Sequence, residues 1–350
     1  MVLISDPEIR KYYMSYKCPK ASYYEVFDFN GPNLFSALKK DFHVNMKKLL
    51  LPAFNNKSLA AMEDTIYKVG SESLVQYIDS HLDEHSSYEF DILDLCYRNT
   101  LDVISELVFG TSINATWDKK KGKEFIDALA NTQFMLFIRY FVPFSYLIKL
   151  PMEPILTPMI LNNIHERKQK NEEHHDILQS MIDAKDPETG VGLTDLEIVD
   201  ECMTLLFAAE DTTANTISWT LYELLKHPEV YKLVADEILE KFPNFNEPIN
   251  SQDAKKELKY LDAAILESTR KNPAGADIIP RDVPEGGLTI NGHYLPPKTV
   301  FTLDIYCEHN NPNFWENPRE YDINRWFGED REAKKARLAG FGLGPRSCIG

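Results

Sequence analysis

The chain has 350 residues, 43% hydrophobic and 11% aromatic, enough to bury a large core as one big domain or two ordinary ones. A formal net charge of −16 excludes a general nucleic-acid binder, because neutralising phosphates takes a dominant basic surface. Cys18, Cys96, Cys202, Cys307 and Cys348 are odd in number and widely spaced, which excludes a disulfide framework and points to a reducing compartment.

Val2, Leu3 and Ile4 before Asp6 are too short a run for a signal h-region or a membrane anchor. Apolar residues at helical spacing predict helices over Leu59–Leu82, Ile92–Phe109, Glu124–Phe137, Glu153–Lys168 and Asp176–Ile182. The most apolar stretch, Phe134–Leu150, is interrupted by Arg139 and Pro143 and falls short of the roughly 20 residues a spanning helix needs. It is expected to pack in the core, with shallow membrane contact as the alternative.

Thr194 and Glu197 supply a capping box, and no Pro or Gly interrupts Asp195–Lys226 before His227-Pro228. The predicted helix is roughly 48 Å long. Helices follow over Glu229–Lys241 and Asp253–Lys271, the second ended by Asn272-Pro273. Beyond Pro273 the segments "DIIPRDV", "GLTI", "HYLP" and "TVFTLDIY" alternate β-formers with Gly and Pro, so strands are expected to cluster late. The chain is read as one domain, residues 1–350, mainly helical with a small sheet.

Three constellations carry chemistry. The long helix reads "LLFAAEDTTANTISW", where Glu210, Asp211, Thr212 and Thr213 interrupt an apolar run; burying them costs free energy unless they are paired or face a cavity. A Thr hydroxyl bonded to a helix carbonyl opens the local ladder, and an adjacent Asp relays protons; an amphipathic helix would instead present the same residues to water. In "LESTRKNP", Glu267 and Arg270 share a helix face at i,i+3, as in an ordinary ion pair, and Arg325 in "NPREYDINRW" is a candidate third partner. The closing "FGLGPRSCIG" sets Cys348 among glycines. Backbone N–H groups of such a turn stabilise a thiolate, Arg346 adds a fixed cation, and Phe341 suits a flat apolar cofactor. Cys96, Cys202 and Cys307 read as buried small hydrophobes.

Together these motifs resemble the cytochrome P-450 superfamily of haem-thiolate monooxygenases, its eukaryotic microsomal members in particular. Phe341, Gly344, Arg346, Cys348 and Gly350 fill the family's FxxGxRxCxG pattern, preceded in the family's order by its ExxR pair, Glu267 and Arg270, and by "AAEDTT". The resemblance covers nearly the whole chain and implies a helix-rich prism with a small β-sheet. It implies haem b as cofactor, Cys348 as the axial thiolate, Arg346 on a propionate and Phe341 near the thiolate. It further implies Glu267, Arg270 and Arg325 as a structural triad, and Asp211 and Thr212 as the acid–alcohol pair that guides protons.

Ala209 stands where the family commonly has Gly. His43 and Lys47, before "PAF", replace a Trp and an Arg that bind propionates, and Arg281 is a further candidate. Measured against the family, the sequence looks like a piece cut from both ends, lacking the anchor and the helix after the ligand loop. The implied function is insertion of one oxygen atom from O2 into an apolar substrate such as a fatty acid, terpenoid, sterol or xenobiotic. Electrons would come from NADPH through a reductase, with cytochrome b5 as a possible second donor, at the cytosolic face of the endoplasmic reticulum membrane for the full-length parent. The basic run around Lys334 and Lys335, with Lys47 and Lys48, is a candidate docking face or a solvated loop. The segments expected to line the pocket are Tyr23–Leu38, Phe134–Leu150, Phe207 and Ala274–Ile279. Two other readings stand beside this one: a fragment unable to retain haem, and a zinc metallopeptidase using His81, Glu84 and His85 of "HLDEH".

Overall fold

The computed structural model describes residues 1–84, 87–142, 153–170, 174–244, 247–275 and 279–350. They form two compact units. The helical unit comprises Ser22–Asp211 with Ile349–Gly350, and the mixed unit comprises Met1–Ala21 with Thr212–Cys348.

In chain order the mixed unit opens with β1 (Val2–Ile4) and α1 (Arg10–Tyr13). The helical unit then builds α2 (Lys40–Leu50), α3 (Asn56–Thr65), α4 (Ser73–Glu84), α5 (Ile92–Phe109), α6 (Lys119–Phe141), α7 (Glu153–Lys170) and α8 (Ile177–Asp183). Its apolar core draws on Met46 and Leu50 of α2, Leu101, Ile104 and Val108 of α5, Ile160 and Ile164 of α7, and Leu178 and Met181 of α8.

The single helix expected over Leu59–Leu82 is divided, because Ile66–Glu72 winds more widely as a π-helical stretch between α3 and α4. Gly70 lets α5 approach there: a Cβ on it would lie 3.1 Å from Val103 Cγ2. Asn99 Nδ2 donates to the carbonyls of Gly70 at 3.0 Å and Val69 at 3.3 Å, satisfying acceptors that the wider winding frees. Phe134 and Phe141, expected in the core, are each 61% exposed on α6, and residues 143–152 lie outside the described residues.

The long α9 runs over Asp195–Lys226, as its signals predict. Its capping box is made: Thr194 N donates to Glu197 Oε2 at 2.8 Å, and Glu197 N donates back to Thr194 Oγ1 at 3.3 Å. Then come α10 (Pro228–Lys241), α11 (Ser251–Glu257) and α12 (Lys259–Lys271). The one helix expected over Asp253–Lys271 is thus two. The Glu237 carboxylate of α10 accepts the N–H groups of Lys259, Tyr260 and Leu261, an N-terminal cap supplied from a distant part of the sequence.

The strands β2 (Arg281–Asp282), β3 (Leu288–Ile290), β4 (His293–Leu295) and β5 (Val300–Leu303) match the late β-rich texture. Among the described residues β1 is the exception to late clustering. It pairs parallel with β5 in the register Val2↔Phe301, while β2 pairs antiparallel on the other side of β5. β3 and β4 form a hairpin whose turn residues Asn291 and Gly292 both have positive φ, 48° and 79°. The chain continues through α13 (Ile305–His309) and α14 (Arg331–Lys335) into the glycine-rich loop. Cys307, expected buried, is exposed on α13, whereas Cys96 and Cys202 are buried as expected.

Candidate functional site

In the mixed unit the triad is assembled around one carboxylate. Glu267 and Arg270, a turn apart on α12, are fully buried. Glu267 Oε1 accepts from Arg270 Nη2 at 2.8 Å and from Arg325 Nε at 3.2 Å; its Oε2 accepts from Arg270 Nε at 2.9 Å. Trp326 Nε1 donates to the same Oε2 at 3.0 Å, a partner that sequence reading missed although it adjoins Arg325. Arg270 also donates to the carbonyls of His309, at 2.8 Å, and Glu320, at 3.2 Å. Arg325 donates to the carbonyls of Glu316 and Asn317. Two buried guanidinium groups thus meet one carboxylate and several carbonyl dipoles, the arrangement that makes buried charge tolerable.

His309, also missed, links this cluster to the loop. Its Nε2 accepts the Ala339 N–H at 2.9 Å, so in the neutral ring Nδ1 carries the proton and donates to Arg270 O at 3.2 Å. Burial, with Arg270 and Arg10 nearby, pushes the imidazole down to about 4 and keeps it neutral. The triad is therefore hydrogen-bonded to the start of the strand-free segment that ends in Cys348.

That loop is shaped by its glycines. Gly342 and Gly344 have φ of +73° and +66°, and a Cβ on Gly344 would fall 2.4 Å from the carbonyl oxygen of Tyr13. Cys348 N donates to Phe341 O at 2.8 Å and closes the turn. The Cys348 thiol is exposed, and the Phe341 ring is 67% exposed on the same loop. The Arg346 guanidinium lies 5.2 Å from the centre of the Tyr16 ring. Gly350 belongs to the helical unit, where a Cβ on it would be 3.0 Å from Phe54.

Arg281 is buried at β2, its guanidinium 4.9 Å from the centre of the Tyr13 ring, and it forms an antiparallel bridge with Lys20. No sequence motif singles out Lys20, yet only 6% of it is exposed. Burial, and after it the charges of Arg281 and Arg346, push its amine well below the ordinary lysine range. An anionic group beside Lys20 would relieve that repulsion and favour its protonated form. An apolar ring and a soft thiolate donor on one loop, with a cationic group in the same unit, are the donor set that a haem with its propionates takes.

In the helical unit His43 is buried on α2, with Lys47 one turn further along. Asp211 closes this unit's share of α9, and its Oδ1 accepts from Tyr97 Oη of α5 at 2.8 Å. Thr212 is exposed, its carbonyl accepts from Thr216 Oγ1 at 2.8 Å, and α9 is α-helical through this point. The neighbouring Glu210 is buried, which together with the Asp211 charge raises its carboxyl to about 8.

Two turns and more upstream, buried Asp200 and Glu201 of α9 hold the Asn30–Leu34 loop, part of a stretch expected to line the pocket. Asp200 Oδ1 accepts from Asn30 N at 3.1 Å and Asn30 Nδ2 at 2.7 Å, and Glu201 Oε1 accepts from Leu34 N at 2.6 Å. Burial raises Asp200 to about 6 and Glu201 to about 8. An unfolded chain releases these protons near the ordinary carboxylate range, so between that range and about pH 8 the folded state binds more protons and loses stability as pH rises. The thermal midpoint is expected to fall by several degrees from pH 6 to pH 9, and Glu201→Gln to flatten that fall. An equal fall in the variant would remove Glu201 from the effect.

The zinc reading gains no support. His81 Nδ1 lies 2.8 Å from the Tyr77 carbonyl oxygen, the ring packs against Tyr77 and Tyr88, and His85 is outside the described residues. Among the described residues no group of three or more His, Cys, Asp or Glu is placed to hold a metal.

A helix-rich chain with a small sheet, a buried carboxylate–guanidinium triad and an exposed thiol in a glycine-shaped loop defines a haem-thiolate class of protein. Comparison with known proteins agrees: the cytochrome P450 family model matches residues 1–350, and the chain belongs to that family. It is 28% identical to cytochrome P450 monooxygenase helB1 of Aspergillus fumigatus, over 100% of this chain and 62% of that protein. It is 27% identical to a cytochrome P450 monooxygenase of Gibberella zeae, over 99% of this chain and 82% of that protein. The crystal structure of the cytochrome P450DA heme domain superposes with a TM-score of 0.86 at 25% identity, covering 99% of this chain and 76% of that one. The chain thus spans somewhat under two thirds of the helB1 protein. Haem iron is the cofactor this family implies.

Proposed function

We propose that the protein is a haem-thiolate monooxygenase that inserts one atom of O2 into an apolar organic substrate and reduces the other to water, using two electrons from NADPH delivered by a reductase. The observation that carries this reading is the triad around Glu267, tied through His309 to the segment that presents the Cys348 thiol. Bound haem supplies the dioxygen chemistry. Within the mixed unit, Cys348 would be its thiolate ligand, and Arg346, Arg281 and Lys20 would hold propionates. Phe341 covers the thiolate side.

Asp211 and Thr212 move protons toward the reacting oxygen, the carboxyl exchanging them with water and the hydroxyl passing them inward. Fatty acids, terpenoids, sterols and xenobiotics are the substrate classes in keeping with the apolar stretches. No helix of the described residues is long and apolar enough to cross a membrane. The exposed Phe134 and Phe141 of α6, with Val142 just after it, support shallow contact with a membrane surface, in line with placement of the full-length protein at the endoplasmic reticulum. Docking of the reductase on the basic run is less free than the sequence implies. Lys334 is paired with Asp330 at 2.9 Å and donates to the Arg325 carbonyl at 3.0 Å.

The test uses haem-loaded protein with NADPH, a microsomal reductase and a panel of fatty acids, terpenoids, sterols and xenobiotics. With a compound that is turned over, Thr212→Ala is expected to lower product per NADPH by about an order of magnitude, with hydrogen peroxide making up the difference. Unchanged coupling would overturn the role of Thr212, and product from no member of the panel would count against the substrate class.

A further inference from the structure

The contact between α5 and the acid–alcohol segment of α9 is built from two hydroxyls. Tyr97 Oη donates to Asp211 Oδ1 at 2.8 Å, and Thr100 Oγ1, one turn along α5, donates to the Glu210 carbonyl at 3.1 Å. The same Thr100 hydroxyl lies 2.9 Å from the Cys96 carbonyl oxygen and 3.2 Å from that of Tyr97, so its single proton is shared among three carbonyl acceptors. Consecutive residues of α9 are therefore held by residues three apart on one face of α5.

Both Tyr97 and Asp211 are half-buried, so water competes only partly for this hydrogen bond. The adjoining Glu210 is buried, and burial with the Asp211 charge beside it raises its carboxyl to about 8. A phenol is a neutral donor. It orients a carboxylate through one directional O–H bond without adding a charge, whereas a bidentate guanidinium would engage both oxygens.

We propose that Tyr97 is a positioning residue for proton delivery, orienting the Asp211 carboxyl through its hydroxyl. The inference rests on the proposed role of Asp211 and Thr212, and it adds a residue outside every motif in the sequence.

The experiment compares the haem-loaded wild type with Tyr97→Phe, Asp211→Asn, the double variant and Tyr97→Gln, which keeps a donor. Tyr97→Phe is expected to raise hydrogen peroxide per NADPH about threefold or more with KM unchanged, Tyr97→Gln to recover part of the loss, and the phenylalanine to add nothing in the Asp211→Asn background. A readout independent of turnover is the infrared carboxylate band of Asp211, isolated by subtracting the Asp211→Asn spectrum; loss of the phenol donor should shift it. An unshifted band with full coupling in Tyr97→Phe overturns the proposal. So does an effect of equal size with and without Asp211, which would mark Tyr97 as packing alone. If Asp211→Asn itself leaves coupling intact, the reading of Asp211 fails and takes the proposal with it, whereas an uncoupled Asp211→Asn beside a fully coupled Tyr97→Phe sinks the role of Tyr97 only. Should Tyr97→Phe lose haem or melt early, the glutamine variant and the band decide in its place.

Discussion

Replacing Cys348 by serine is expected to abolish the red-shifted Soret band that the dithionite-reduced, CO-treated, haem-loaded protein gives with a thiolate ligand. The loop geometry favours a clean substitution. Gly342 and Gly344 set the turn, and the hydrogen bond from Cys348 N to Phe341 O is made by backbone, so serine can occupy the position without disturbing it. What changes is the donor atom. A hydroxyl is far less acidic than a thiol and stays neutral, so the anionic, soft axial ligand is lost while the loop remains. A band that persists in the variant would move the ligand away from Cys348, and wild-type protein that takes up no haem would support the fragment reading.

The second large effect is expected at Glu267. Truncation to alanine removes the carboxylate that Arg270 and Arg325 share and leaves the indole N–H of Trp326 without that acceptor. Breaking a buried pair by removing one partner costs about 3–5 kcal/mol, a large part of the roughly 5–15 kcal/mol that holds a typical domain folded. Glu267→Ala is therefore expected to accumulate as insoluble protein or to lose cooperative melting. An unchanged melting temperature would mean that the carbonyls of His309, Glu320 and Asn317 suffice for the two guanidinium groups. The same loss should be felt at the ligand loop. Arg270 and His309 exchange hydrogen bonds, and His309 in turn holds Ala339.

Start and stop signals carried by the residues at an element's own ends were followed. The limits of α9 were legible because a capping box starts it and His227-Pro228 stops it, and the late strands because Gly and Pro punctuate them. The triad was legible for a different reason: its spacing belongs to a family pattern, and Arg325 joins Glu267 across 58 residues, which no periodicity reveals. What stayed hidden depends on partners remote in sequence. The break at Leu258 is capped from Glu237, β1 is three residues that make sense only beside β5, and the wide turn at Gly70 is stabilised by Asn99. Lys20, His309 and Tyr97 are ordinary residues in ordinary local contexts. Their interest lies in a buried amine among guanidinium groups, a neutral imidazole between two backbones, and a phenol on a carboxylate.

The boundary between the two compact units falls inside α9, between Asp211 and Thr212. The acid and the alcohol of the proposed proton path are thus assigned to different bodies, yet one peptide bond joins them. On an α-helix successive residues differ by a rise of about 1.5 Å and roughly a hundred degrees of rotation. That offset is a property of the backbone and not of any interface. The Cα atoms that carry the carboxyl and the hydroxyl are therefore one helical step apart, and any substitution that keeps the helix intact leaves that step as it is.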